Sequence, residues 1–394
     1  MEPNTSYRFA IKNQRQDISR GVSSFQCYKG TMCQYLIIVV IVTILLIPFR
    51  STFLPNHDTS IDQNRLHKLN VDNQDDKSTS LHDQRKLVDV LHDIFDTAAE
   101  YNRNGSLNVV DTQTEPNFPI FVCDGCERCD VCTFIRPLGY FAPVLTMIFK
   151  YILGDGQCNR GPLVVDVGAN MGYFSAYAAA LGCKVASFEP NKHPRQYLEA
   201  TAALLDPNHT LWKVYPMAIG EEGKEVEFIE DVGWGGGRVS TDKANLTGLE
   251  HLVGMQNEKV KKQIVELIQL DAVVKEDILL LKIDTEGYEE FVIQGSKSVF
   301  KDHNVHNVLI EVKTQNDPTK RDFMYHLMKE VGHFTHVYMF HDVYNYTRLD
   351  LRTFDCIQNG VYMEEVTDII AKKKYDEKLT SQDYWFRKKA LPLF

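Results

Sequence analysis

In the stretch LVVDVGANMG, an apolar run ends at an aspartate and is followed by an asparagine with one glycine on each side of it, two residues away. Its candidates for chemistry are Asp166, Gly168, Asn170 and Gly172. Glycines at a turn from strand to helix allow a ligand to touch bare backbone. Glu189 ends the next apolar run, and a carboxylate there can accept hydrogen bonds from both hydroxyls of a ribose. The pair of acidic residues therefore indicates a nucleoside-containing cofactor.

The glycine spacing indicates which cofactor this is. Dinucleotide sites use G-x-G-x-x-G, where a helix N-terminus receives a pyrophosphate, whereas residues 168–172 read Gly-Ala-Asn-Met-Gly. An acidic residue at the end of the first strand suits a ligand with an ammonium group and no phosphate. S-adenosylmethionine has this character, so it is the predicted cofactor. An NAD-like ligand, or a glycine turn that only packs a helix on a strand, stays open as an alternative.

A second stretch, LLLKIDTEGYEEF, repeats the design of a strand that ends in acidic residues. Lys282, Asp284 and Glu286 alternate and should lie on one side of the strand. Buried charges are costly unless they meet a ligand, an ion or each other. We predict that Asp284 or Glu286 accepts a proton from an acceptor hydroxyl or holds that hydroxyl. A structural salt bridge of Lys282 is the alternative, and His251 and His303 are rival bases without a recognisable constellation.

The elements that would position these residues alternate from about residue 161 onward. Apolar runs predict strands buried on both faces at Leu163–Val167, Val185–Phe188, Trp212–Tyr215, Ile278–Ile283 and Val308–Val312. Helical patterns cover Tyr173–Leu181, Arg195–Leu205 and Glu289–Gln294. The alternation predicts an α/β fold with a Rossmann-like, doubly wound, mostly parallel sheet. Such sheets bind ligands at the carboxyl ends of their strands.

Five ordered motifs, VVDVGANMGYFS, FEPN, AIG, LLLKIDTEGYEEFVIQG and LIEV, resemble the signature of the FkbM-type methyltransferases over roughly residues 160–315. That family is a branch of the class I, S-adenosylmethionine-dependent methyltransferases. The resemblance implies O-methylation, commonly of a sugar or polyketide hydroxyl. It implies an active-site role for Asp284 and Glu286 of the K-I-D-x-E-G pattern. The positions it implies for the cofactor are Asp166, Gly168, Asn170, Gly172 and Glu189.

The N-terminal part predicts a membrane anchor. Lys29 and Arg50 bracket a run without charges, and this length fits one membrane crossing. Basic residues are denser before the run than after it, which predicts a single-pass type II protein with its catalytic part in the lumen of the Golgi or ER. The predicted division is a cytosolic tail (1–30), a transmembrane signal anchor (31–49), a stem (50–117), a Cys-rich segment with a leading helix (118–158) and a methyltransferase domain (159–394).

Four cysteines, Cys123, Cys126, Cys129 and Cys132, follow one another at C-x-x-C spacing. In an oxidising lumen disulfides are favoured. A zinc site usually takes two separated C-x-x-C pairs, and an iron–sulfur site resembles the bacterial run but fits a secretory lumen poorly. All three interpretations stay open at this point.

Two further features concern the acceptor and the compartment. VGWGGGRVS, which contains Trp234, is either a flap that stacks on a sugar ring or a flexible hairpin loop. Asn-x-Ser/Thr sequons at Asn104, Asn208, Asn245 and Asn345 would be usable in the secretory pathway.

The charge balance bears on the partners. The chain has a net charge of −10, which argues against nucleic acid because backbone binding requires a surplus of Lys and Arg. The expected partners are a small-molecule or glycan acceptor and the membrane. A divalent metal such as Mg²⁺ is possible, and Asp284 with Glu286 could hold it through oxygen ligands. The alternative functions are a type II membrane glycosyltransferase that uses a nucleotide sugar and a catalytically inactive S-adenosylmethionine-binding protein.

Overall fold

The computed structural model describes residues 106–124, 129–221, 225–230, 237–239, 261–312, 318–340, 363–372, 379 and 383–389. All of them belong to one compact unit, Ser78–Phe394. The predicted tail, anchor and most of the stem lie outside the described residues. Within the described part of the chain, no single helix is long and apolar enough to cross a membrane. The pair Val131–Leu138 and Pro143–Leu153, bent by 75°, passes that test only when its two helices are taken together.

The strands in chain order are β1 (Ser106–Asp111), β2 (Pro119–Asp124), β3 (Leu163–Val167), β4 (Lys184–Phe188), β5 (Trp212–Tyr215), β6 (Ala218–Ile219), β7 (Glu225–Glu230), β8 (Gly237–Val239), β9 (Lys261–Ile268), β10 (Ile278–Ile283), β11 (Asn307–Glu311), β12 (His336–Phe340), β13 (Met363–Glu365) and β14 (Asp383–Arg387). The α-helices are α1 (Asp130–Leu138), α2 (Pro143–Leu153), α3 (Tyr173–Ala180), α4 (Lys192–Leu205), α5 (Glu289–Gln294), α6 (Lys297–Asp302), α7 (Pro318–His326) and α8 (Thr367–Ala371). Short 3₁₀ turns lie at Gln157–Arg160 and Leu270–Ala272, and a π-helical turn lies at Leu327–Val331.

An eight-stranded sheet forms the centre, in the order β13-β12-β14-β11-β10-β3-β4-β5. The five strands from β11 to β5 run parallel, and β14 is antiparallel to both β11 and β12. This confirms the prediction of a mostly parallel α/β sheet. Because β3, β4, β10 and β11 share one direction, their carboxyl ends meet at one edge of the sheet, which carries the predicted site.

Most of the predicted central elements occur with little change. The bounds of β3, β5, β10 and α5 agree with the prediction, and β4, β11, α3 and α4 differ by a few residues at their ends. One detail was wrong: β5 is not buried on both faces. Only Trp212 is buried in it, because β5 is the edge strand of the sheet.

An N-terminal hairpin packs against this domain. β1 pairs antiparallel with β2, and Phe121 N–H donates to Thr201 Oγ1 on α4 at 3.1 Å. Phe118 stacks on Tyr177 of α3 with ring centroids 5.7 Å apart. The predicted boundary between stem and Cys-rich segment, at residue 117, therefore falls inside a hairpin that packs on α3 and α4.

A smaller sheet, in the order β6-β9-β7-β8, lies between β5 and β10 in the chain. The glycine-rich segment predicted to be a flap or a hairpin loop is described only at residues 237–239, which form β8. Trp234 lies outside the described residues, so its role stays a prediction.

Candidate active site

The glycine loop, residues 168–172, connects β3 to α3 and lies against the end of β10. Gly168 has a φ of +78°, and a Cβ on it would lie 1.8 Å from the carbonyl oxygen of Asp284. Gly172 has a φ of +85°, and a Cβ there would lie 2.4 Å from Leu198 Cδ1. Both glycines are thus required by close packing within the chain. The packing alternative for this loop is realised in the structure, whether or not a ligand also contacts it.

Glu189 ties the glycine loop to the end of β4. Its carboxylate accepts the N–H of Asn170 and the N–H of Asn191, both at 2.8 Å. Arg195 donates to the carbonyl oxygens of Glu189 and Pro190. Each carboxylate oxygen keeps a second lone pair after one backbone bond. Glu189 can therefore still accept hydroxyl groups of a ligand.

Burial changes the protonation of Glu189, which is only 6% exposed. Desolvation raises its pKa from 4.5 to about 7, and Asp166 also raises it, whereas the two backbone hydrogen bonds and Arg195 lower it. The charge on Glu189 therefore depends on pH in the neutral range.

Asp166 is 1% exposed and bonded within the chain. Ser175 Oγ donates to its Oδ2 at 2.7 Å, and Lys282 Nζ lies 3.4 Å from its Oδ1. The sequence predicted that Asp166 would meet an ammonium group of a ligand. In the structure the ammonium group beside it belongs to Lys282, so its contact with a cofactor stays a prediction.

Lys282 connects Asp166 with the candidate base. Its Nζ lies 3.3 Å from Asp284 Oδ2 and 5.5 Å from the ring centroid of Phe174. Burial lowers the pKa of Lys282, but Asp284 and Asp166 raise it more, so it lies above its usual value. The structural salt bridge that the sequence offered as an alternative is therefore present.

Three carboxylates converge at the carboxyl edge of the sheet. One oxygen from each of Asp284, Glu286 and Glu311 lies within 4.8 Å of the others. The Asp284 side chain is 42% exposed and so accessible to an acceptor. Glu286 lies on the following loop with a φ of +55°. The predicted site did not include Glu311. Glu311 ends β11, the strand next to β10, and its place at a strand end was the signal that could have identified it.

A fourth carboxylate, Glu289 of α5, was also missed. Its Oε1 accepts the N–H of Thr285 at 3.1 Å, the Thr285 hydroxyl at 3.1 Å and the N–H of Gly287 at 2.9 Å. Glu289 is buried and thereby fixes the loop that carries Asp284 and Glu286. No capping pattern marked it in the sequence, because the N-cap of α5 is Tyr288 and Glu289 bonds back to a threonine four residues earlier.

Comparison with known families decides the class of this site. Residues 166–348 match the family model of the methyltransferase FkbM domain. These residues are thus similar to a methyltransferase FkbM domain. This match confirms the predicted family. It also confirms the predicted enzyme class, an S-adenosylmethionine-dependent methyltransferase, and the predicted cofactor. The glycosyltransferase alternative loses support, because the matched domain is not a nucleotide-sugar domain.

Several solved structures also align with the chain. A methyltransferase FkbM from Methylobacillus flagellatus aligns at 17% identity and a TM-score of 0.27, covering 39% of this chain and 33% of that one. A putative RNA methyltransferase from Pyrococcus horikoshii aligns at 15% identity with a TM-score of 0.30, and the alignment covers 63% of this chain and 84% of that one. A putative O-methyltransferase from Klebsiella pneumoniae aligns at 9% identity with a TM-score of 0.31, and the alignment covers 64% of this chain and 84% of that one. The aligned part spans about a third of the first structure. No curated protein matches the chain.

Disulfides lie next to the glycine loop of the FkbM domain. Cys129 and Cys132 form one, at the start of α1, and both Sγ atoms lie within 3.7 Å of Met171 Sδ in the loop. Cys123 is also disulfide-bonded, and Cys126 lies outside the described residues. These bonds agree with the disulfide interpretation of the cluster. A second described disulfide, Cys158–Cys183, had not been predicted.

His303, the candidate histidine base that the structure describes, lies away from this arrangement. His303 follows α6 and precedes β11, at the end of the sheet opposite to Asp284. His251 lies outside the described residues. Of the candidate bases that the sequence offered, Asp284 is a described residue whose backbone lies against the glycine loop.

Proposed function

We propose that the protein is an O-methyltransferase that uses S-adenosylmethionine to methylate a hydroxyl of a glycan or another secretory-pathway acceptor. One observation carries this proposal: the backbone of Asp284 lies directly against the glycine loop. Asp284 N–H donates to the carbonyl of Val167 at 3.0 Å, and the Asp284 carbonyl abuts Gly168. A partly exposed carboxylate on this residue can reach a hydroxyl that is held beside the cofactor.

The residues around the glycine loop fit this cofactor in part. Glu189 keeps acceptor lone pairs for the two ribose hydroxyls, and it is held in place by the N–H groups of Asn170 and Asn191. Asn170 takes a positive φ of 52°, which turns the loop between the tips of β3 and β4. Gly168 and Gly172 act by allowing this turn and its close packing. S-adenosylmethionine supplies a methyl group that is already activated by its sulfonium.

The remaining chemistry is alignment and proton removal. Holding two reactants in line can lower a barrier by about 7 to 11 kcal/mol in favourable cases. A positioned base commonly adds about 10² to 10⁴-fold in rate. In this proposal Asp284 accepts the proton of the acceptor hydroxyl. Glu286, two residues further along the chain, holds that hydroxyl by accepting a hydrogen bond.

The compartment is part of the same proposal. An anchor at residues 31–49 would place the FkbM domain in the lumen of the Golgi or ER. The described disulfides, Cys129–Cys132 and Cys158–Cys183, support this placement because such bonds persist in oxidising compartments. Asn208 supports it as well, since this sequon asparagine is exposed and accessible to glycosylation. Treatment of the cell-expressed protein with a glycosidase specific for N-glycans should therefore increase its gel mobility.

The activity is tested with the full chain purified in detergent. It is incubated with S-adenosylmethionine carrying a tritium-labelled methyl group and a panel of p-nitrophenyl glycosides as free-hydroxyl acceptors. Asp284→Asn and Glu286→Gln are compared with Asp302→Asn, which changes an exposed aspartate at the end of α6. In parallel, mass spectrometry of glycans from cells with and without the protein looks for loss of one CH₂ unit.

We expect label transfer by the wild type and by Asp302→Asn. Asp284→Asn should lose at least about 10²-fold in kcat, as expected for a general base, while its affinity for S-adenosylmethionine is retained. Cofactor binding without transfer to any glycoside, together with unchanged cellular glycans, would support the inactive binding protein instead. Full activity of both site variants would remove these carboxylates from the mechanism.

A further inference from the structure

A line of buried hydrogen bonds crosses the parallel sheet beneath the site. Trp212 Nε1 lies 2.7 Å from Ser187 Oγ, which lies 2.7 Å from Ser175 Oγ, and this hydroxyl donates to Asp166 Oδ2 at 2.7 Å. We call Trp212, Ser187, Ser175, Asp166 and Lys282 the core polar network. Its members lie on β5, β4, α3, β3 and β10.

The direction of these hydrogen bonds is fixed by their two ends. An indole N–H can only donate, and an ionised carboxylate can only accept. Trp212 therefore donates to Ser187, Ser187 donates to Ser175, and Ser175 donates to Asp166. No hydroxyl proton is left free to rotate, so the network holds the Asp166 carboxylate in one orientation.

Lys282 extends the network from the core to the site. Lys282 and Asp166 are register partners on the neighbouring strands β10 and β3. The ammonium group lies 3.4 Å from Asp166 Oδ1 and 3.3 Å from Asp284 Oδ2. All five network members are at most 6% exposed, whereas the Asp284 side chain is 42% exposed. Lys282 is thus the one member that connects the buried network to a group that an acceptor can reach.

This arrangement is costly unless it has a use. An ammonium group removed from water costs several kcal/mol, and replacing a buried ion pair by apolar residues is often neutral or stabilising. Asp166 alone would compensate the charge of Lys282, and the ring of Phe174 adds a cation–π contact. The second carboxylate contact, to the partly exposed Asp284, is not needed for that compensation.

We propose that Lys282 is a positioning residue for methyl transfer. The core polar network anchors Lys282 on Asp166, and Lys282 holds the carboxylate of Asp284 beside the glycine loop. This inference rests on the proposed function, because it assigns a role to Lys282 in the same reaction. The charged groups described at this edge of the sheet include the carboxylates of Asp166, Glu189, Glu286, Glu289 and Glu311, and Arg195, which contacts the backbone of Glu189 and Pro190. Among the described residues around Asp284, Lys282 is the cation that can hold it there.

The test compares three variants of the full chain with a control. Lys282→Met removes the cation, and Lys282→Arg keeps the charge. Asp166→Asn with Lys282→Met removes the cation without leaving a buried, unpaired carboxylate, so it covers the case in which Lys282→Met does not fold. Lys297→Met, which changes an exposed lysine on α6, is the control.

Three measurements are made on each variant, one of which is its thermal unfolding temperature. Carbon-13 NMR of protein with labelled aspartate carboxyls, with the Asp284 resonance assigned from Asp284→Asn, reports the contact without any acceptor. Turnover with the glycoside that the wild type methylates, at saturating S-adenosylmethionine, separates kcat from KM. We expect the Asp284 resonance to move in Lys282→Met and in the double variant but not in Lys297→Met. In those two variants kcat should fall at least tenfold with KM for the glycoside changed less than threefold, and Lys282→Arg should recover most of kcat.

The outcomes separate this inference from the function on which it rests. An unmoved Asp284 resonance, or a moved resonance with unchanged kcat in an active enzyme, overturns the positioning role alone. A loss of thermal stability in the double variant without loss of kcat shows that Lys282 is only structural. If the wild type methylates no glycoside and cellular glycans are unchanged, the proposed function fails and the role in methyl transfer with it, whereas the Asp284 resonance still shows whether Lys282 holds that carboxylate.

Discussion

Replacing Gly168 with alanine tests the contact that brings the glycine loop against the candidate base. Gly168 has a φ of +78°, and an added Cβ would lie 1.8 Å from the Asp284 carbonyl oxygen and 2.8 Å from its carbonyl carbon. These neighbours are backbone atoms of a strand end, so they cannot move away as a flexible side chain could. The substitution should therefore separate β3 from β10 where the site is formed.

The magnitude follows from two contributions. A non-glycine residue in the left-handed region costs about 1 to 2 kcal/mol. Overpacking of a well-packed interior typically costs about 1 to 3 kcal/mol more. We expect Gly168→Ala to reduce the free energy of unfolding by about 2 to 5 kcal/mol. For a domain with a total stability of about 5 to 15 kcal/mol this is a large fraction.

Gly182→Ala is the matched control, because Gly182 has a similar φ of +89° and no atom within 4 Å of an added Cβ. It should lose only the backbone contribution, about 1 to 2 kcal/mol. Chemical denaturation of both variants gives the two free energies, and their difference measures the steric contact. Equal losses in the two variants would refute the close approach of Asp284 to the glycine loop.

Three further predictions concern the surrounding residues. Because burial raises the pKa of Glu189 to about 7, its folded state binds a proton more tightly than the unfolded chain, and its contribution to stability falls as pH rises from about 4.5 to 7. Hydrogen bonds from ribose hydroxyls favour the ionised form of Glu189. Calorimetry should therefore find S-adenosylmethionine bound about tenfold more weakly at pH 6 than at pH 8. Glu189→Gln should abolish this difference in affinity. Loss of the Cys158–Cys183 disulfide, which closes a 25-residue separation, should cost about 3.5 kcal/mol, against about 1.5 kcal/mol for Cys129–Cys132 with its separation of 3. Denaturation of the paired alanine variants checks this order, and a larger loss at Cys129–Cys132 would contradict it. Glu289→Gln should lower the free energy of unfolding by about 1 to 3 kcal/mol, because three donors lose a charged acceptor. The control Glu290→Gln, in the same helical turn, should change it by less than about 0.5 kcal/mol in the same denaturation assay.

The central strands could be predicted because each is a short apolar run with a clear end. β3 stops at the glycine loop, and β10 is followed by Asp284 and a glycine turn, so the bounds of both are fixed locally. The position of β14 could not be predicted in this way. It pairs with β11, more than 70 residues earlier in the chain, and this pairing depends on tertiary packing rather than on a local pattern.

The same distinction applies to the site. Asp284 and Glu189 were identifiable because they follow strands whose carboxyl ends meet at one edge of a parallel sheet. Ser175 and Ser187 carry no comparable signal, since single serines in apolar segments have no characteristic spacing. Their role depends on the indole of Trp212, which reaches Ser187 from the neighbouring strand. The interpretation of Gly168 was incomplete for a related reason, because its closest neighbour, Asp284, lies more than 100 residues away in the sequence.

The most direct test of the account is calorimetric titration of S-adenosylmethionine into the full-length wild type and into Glu189→Gln at pH 8. The account predicts one site per chain in the wild type. It predicts an affinity at least about tenfold weaker in the variant, because hydrogen bonds to a charged acceptor contribute about 1.5 to 3 kcal/mol each. Absence of binding to the folded wild type, or equal affinities of the two proteins, would contradict it.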